Sequence, residues 1–215
     1  MLRELVSNEI FTVLLVLSLL LIAIARIAYP KHFHDFAFIL VNYKYSNAYI
    51  KQQKFINGFE SLLFGNLIIQ LTVLSLVFYN IWESVDLSTL DMYYKIGFGL
   101  TLFVLIKTLV ERLVSSVLNI DFIVNEYLFL KINFKNFAGL LLIPLNFILV
   151  FSLDPHVNHL YIIASILFVV HIIGLSYFFK THLMTIKNNL FYFILYLCTL
   201  EISPYVVLYK LITTT

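Results

Sequence analysis

Charge is what this sequence has least of. Lys, Arg, Asp and Glu make up 12% of its 215 residues, where a soluble domain runs to about a quarter. A soluble chain this short cannot hide side chains that are 61% hydrophobic, because a domain of this size leaves much of its surface in water. Hydrocarbon is therefore the expected solvent for most of them. The net charge of +2 offers no basic stripe for a nucleic-acid surface, so no nucleic-acid partner is expected. A lone cysteine, Cys198, excludes an intrachain disulfide and a cysteine-based zinc site; inside its apolar run it reads as a small buried thiol. No P-loop, nucleophile elbow or zincin helix is present, and Gly97 and Gly99 open an apolar run with no strand before them. No Pro/Gly/Ser-rich linker divides the chain, so residues 1–215 read as one domain.

Long apolar runs are what the sequence has instead. A helix needs roughly 20 mostly apolar residues to cross a bilayer core. Residues 10–29, 62–82, 137–153 and 157–179 each supply such a run, the last two joined by the tight Asp154-Pro155-His156 connection. The leader Met1-Leu2-Arg3-Glu4 is not clearly basic, Glu9 directly precedes the first run, and no convincing small-x-small site ends it; a retained helix is expected rather than a signal peptide. Two further spans must carry charge. Only 11 uncharged residues separate Lys95 from Lys107, and the last uncharged run, Leu190 to Leu200, is also 11 long. A third span at 93–113 takes Lys107, Glu111 and Arg112 with it, and a sixth at 190–209 takes Glu201. The expected fold is an all-α polytopic bundle of six transmembrane helices.

Two stretches are too polar to cross. Residues 31–57 mix Lys44, Lys51 and Lys54 with tyrosines and phenylalanines, and residues 119–136 combine Glu126, Lys131 and Lys135 with Tyr127 and Phe129. Basic and aromatic residues together suit amphipathic segments in the cytoplasmic headgroup region. These segments make Glu126, Tyr127, Lys44, Lys51 and Lys54 candidate contacts for lipid or a partner. Ten Lys and Arg residues fall on one set of connections and three (Arg3, Lys95 and Lys210) on the other, with Lys107 set apart as intramembrane. By the positive-inside rule both termini then face outward.

Polar groups within spans are costly and usually face a bundle interior. Counting rise along each span puts Glu201 roughly 16 Å deep, and Gln70 and Asn146 roughly 14–15 Å above the inner face. Lys107 and His171 fall roughly 9 Å above that face. Lys107 and Glu111, at i, i+4, share a helix face and can pair. Pro204 cannot donate to the carbonyl of Leu200, so the sixth span should kink beside Glu201. These groups can form an ion or proton path or a polar substrate site; alternatively they neutralise one another and fix helix order, with Lys107 and Arg112 reaching toward the interface. His156 and His159, three apart, are a weak metal signal without further ligands, and neither metal nor cofactor is expected.

The stretch Phe191-Tyr192-Phe193-Ile194-Leu195-Tyr196-Leu197-Cys198-Thr199-Leu200-Glu201-Ile202-Ser203-Pro204, followed by Tyr209-Lys210-Leu211, resembles a family of Bacteroidota inner-membrane proteins filed as a domain of unknown function, number 4271. So does Asn125-Glu126-Tyr127-Leu128-Phe129 with residues 134–144 after it. The likeness is clearest over 107–211; the family tends to carry an apolar residue at Ser203. The resemblance implies a multi-span fold in a bacterial inner membrane and marks Glu126, Glu201, Pro204 and Lys210 as signature positions without roles. The leading functional expectation is a non-enzymatic subunit or scaffold binding other envelope membrane proteins or lipids. A small transporter or proton-coupled component, best supplied by an oligomer, is the second. A membrane enzyme acting on a lipid-linked substrate is the third.

Overall fold

A computed structural model describes residues 9–38, 58–83, 90–117, 121–151 and 157–188, together with Thr199 and Lys210. The described residues form six α-helices: α1 (Glu9–Ala28), α2 (Pro30–Ala37), α3 (Gly58–Glu83), α4 (Leu90–Val117), α5 (Asp121–Phe151) and α6 (Val157–Asn188). The architecture is all-α. Four segments have the length and apolarity to cross a membrane: Glu9–Ala28, Gly58–Ile81, Val124–Phe151 and Val157–Ser176. In these runs the helical backbone bonds to itself, the condition hydrocarbon imposes, except at Pro144 of α5, which has no N–H to donate to the Leu140 carbonyl.

The two central helices are α3 and α5. Within their apolar windows 44% and 39% of residues are buried, against 22% for α1 and for α6. Their contact is the most extensive among the described helices, and α1, α4 and α6 pack around it. Gly139 sets how closely they approach: a Cβ there would lie 2.9 Å from Leu67 Cα, a backbone atom. Small residues permit such close crossings where lipid gives no hydrophobic drive for helix association. Gly174 plays the same part between α5 and α6, its missing Cβ leaving room for the Phe134 ring.

Pro30 opens α2 at a position where its missing N–H is not needed. α2 turns Phe36 into the bundle, edge-on to Phe59 (5.7 Å between centroids) and to Phe137 (6.1 Å). These rings form a floor at the end of the bundle where α3 begins. Residues 39–57, with Lys44, Lys51 and Lys54, lie outside the described residues, as do the connection 152–156 and the proposed sixth span apart from Thr199.

One expected boundary is corrected. Residues 121–136 do not form a segment separate from the following span; they are the first half of α5, continuous to Phe151. Val124, Tyr127, Leu128, Leu130 and Phe134 are buried there. The stretch reads as polar by composition, yet no helix breaker interrupts it, and Glu126, Lys131, Asn133 and Asn136 are buried within the bundle. The helix α4 covers the expected third span but is not among the four apolar segments.

Candidate functional site

Two groups of buried polar side chains are tied by hydrogen bonds between helices. In the first, Ser18 of α1, Gln70 of α3 and Asn146 of α5 are fully enclosed. Gln70 Nε2 donates to Ser18 Oγ at 2.7 Å. Asn146 Nδ2 donates to Gln70 Oε1 at 2.7 Å and to the Gln70 carbonyl at 3.0 Å. A single glutamine side chain thus ties three helices.

The second group joins α4 to α5. Lys131 Nζ donates to both oxygens of Glu111, at 2.7 and 2.9 Å. Lys107 Nζ stands 3.9 Å from Glu111 Oε1, one helical turn away. All three side chains are buried. The Lys131 ammonium also lies 5.4 Å from the centroid of the Tyr127 ring, a cation–π distance. On the other side of Lys131 is a small cavity between α5 and α6, lined by Tyr127, Lys131, Phe134, His171, Gly174 and Phe178 among others. His171 is therefore a neighbour of the ion cluster through Lys131.

Several expected site residues fall elsewhere. Glu126 and Tyr127 were expected at the headgroup interface, but both are buried, and Tyr127 packs edge-on to Phe178 at 5.1 Å. Their placement follows from the continuity of α5. Arg112 is exposed, about 100° around α4 from Glu111. Glu201, Pro204 and His156 lie outside the described residues; His159 sits in the first turn of α6 and Lys210 is exposed. Among the described residues no group of three or more His, Cys, Asp or Glu side chains could hold a metal.

Reasoning from the sequence missed Lys131, Ser18 and the enclosed amides Asn66, Asn133 and Asn136. Spacing held the signal for some of them. Asn66 precedes Gln70 by four and Asn133 precedes Asn136 by three, so each pair lines one helix face. Lys131 follows Tyr127 by four in a stretch with no breaker. Ser18 carried no such mark.

Chemically, a carboxylate with both oxygens held by one lysine and a second lysine nearby is an ionic clamp between helices. Truncating one partner of such a pair strands the other charge. The fold and its buried polar groups define a helical bundle with four potential membrane-spanning segments. The chain belongs to the family described as Domain of unknown function (DUF4271), whose model matches residues 11–212. Searches of curated proteins and of solved structures give no match.

Proposed function

We propose that this protein is a multi-span component of a bacterial inner membrane, acting without catalysis as a subunit or scaffold that binds other envelope membrane proteins or lipids. In this reading it crosses six times, with α4 as the third span, residues 190–209 as the sixth, and both termini periplasmic. Residues 31–57 lie along the cytoplasmic headgroups. The observation that carries the proposal is the use of buried charge: Glu111 is held by Lys131 and flanked by Lys107, so these charges fasten α4 to α5. Meanwhile α1, α4 and α6 present exposed apolar side chains such as Val13, Leu109 and Phe168, suited to lipid or a partner helix.

A photo-crosslinking residue at Leu109 or Phe168, used in living cells, tests this. A discrete adduct with one envelope protein, or with lipid of one headgroup class, is expected. Adducts no different from those of bulk lipid at every exposed position on α1, α4 and α6 would overturn it.

A second reading has one observation in its favour. His171 and Lys131 line the same cavity, and Lys131 holds Glu111, the kind of linked titratable set a proton-coupled transporter needs. Glu111→Gln and Glu201→Gln would then abolish transport in proteoliposomes while leaving membrane abundance near normal. Loss of the protein from the membrane would favour the structural role.

A further inference from the structure

Asn66 and Asn136 are fully enclosed, and among the described residues neither the Oδ1 nor the Nδ2 of either amide has a hydrogen-bonding partner. Their neighbours fix where they point. On α3, Gly65 faces Leu21 of α1 and Leu67 faces Gly139 of α5. Asn66 lies about 100° from each, so its side chain enters the seam between α1 and α5. On α5, Gly139 meets α3 while Phe137 meets Phe36 of α2. Asn136 lies on the arc between those two, and the enclosed Asn133, whose Oδ1 is also unpaired, precedes it by one turn. The two amides therefore lie on the side of the α3–α5 pair that α1 and α2 cover.

That seam is closed at both ends. One turn beyond Asn66, the Ser18–Gln70–Asn146 network spans it. At the other end stands the aromatic floor of Phe36, Phe59 and Phe137. An amide buried without partners is costly, and lipid offers no remedy.

We propose that the α1–α3–α5 seam is an internal hydration site holding water between Asn66 and Asn136. The guest must accept from amide N–H groups and donate to amide oxygens. Asn66 and Asn136 each leave both an amide oxygen and an NH2 group free, so it must do both at once. Water meets both conditions, and a buried water typically makes about three hydrogen bonds to such groups. A cation would satisfy the oxygens alone and would face the amide hydrogens.

Pulsed X-ray hydroxyl-radical footprinting of the full chain in nanodiscs tests this, because radicals formed from bound water mark adjacent side chains without access from bulk. Leu63, one turn from Asn66, and Leu76, farther along α3, are equally buried at 0% exposure. Several-fold faster modification of Leu63 than of Leu76 is expected. In the Asn66→Leu/Asn136→Leu variant, Leu63 should fall to the Leu76 rate. Equal rates in the wild-type protein would overturn the proposal even if that variant fails to fold. A melting temperature that depends on whether the buffer holds Na+, K+ or choline in the wild-type protein would overturn it in favour of a cation site.

Discussion

Lys131 Nζ of α5 holds both carboxylate oxygens of Glu111, 20 residues earlier on α4, at 2.7 and 2.9 Å. This contact gives α4 its rotational setting. Apolar side chains such as Leu105, Leu109 and Leu113 lie exposed on its outer face, and lipid is as apolar as they are. The charged stripe marks its inward side, together with Tyr93, which packs edge-on to Phe11. Lys107, Glu111 and Ser115 follow one another at intervals of four along that stripe, and all are buried.

Removing one member of the clamp should therefore cost more than removing both. Lys131→Met leaves Glu111 with the more distant Lys107 alone, and a loss of about 3–5 kcal/mol is expected, as for other broken buried pairs. Adding Glu111→Leu to Lys131→Met should recover part of that loss. Reversible unfolding in bicelles, run as a double-mutant cycle, measures the coupling.

The Ser18–Gln70–Asn146 network should respond unevenly. Ser18→Ala removes one interhelical bond, and such bonds average about 0.6 kcal/mol in membrane bundles. Gln70→Leu strands Ser18 and breaks the side-chain bond to Asn146, which keeps only the Gln70 carbonyl. A loss about two to three times that of Ser18→Ala is expected, read by the same unfolding measurement.

Two glycines should behave oppositely. Gly139→Val places its Cβ against the Leu67 backbone, and overpacking of this kind costs about 1–3 kcal/mol or more. At Gly99 a Cβ meets nothing within 4 Å. Gly99→Ala should be neutral or stabilising by up to about 1 kcal/mol, because alanine is the better helix former. Thermal melts of the two variants against the wild type settle the contrast.

Orientation can be read from two exposed side chains. The His34 side chain on α2 is 75% exposed and that of Asp91 at the start of α4 is 72% exposed. In a chain with Cys198→Ser, His34→Cys should react with a membrane-impermeant maleimide only after the inner membrane is permeabilised, and Asp91→Cys before it. The reverse pattern would invert the proposed topology.

The runs that became α1, α3 and α6 were legible because insertion free energy adds along a chain, residue by residue. Counting rise placed Gln70 and Asn146 at similar depth, and the i, i+4 spacing put Lys107 and Glu111 on one face. Residues 121–136 were misleading for a related reason. Their composition is that of an interfacial segment, and summed polarity does not show whether polar side chains face headgroups or one another.

Hydropathy, charge distribution and the single cysteine were properties of the sequence alone, and the first two determined that the chain is helical and suited to a membrane. Tertiary structure decided which polar groups meet. The pairing of Lys131 with Glu111, and the placing of Asn66 and Asn136 on one side of the α3–α5 pair, depend on helix azimuth and on the close approach at Gly139. Those are set by the shapes of facing surfaces, which no local stretch of sequence contains.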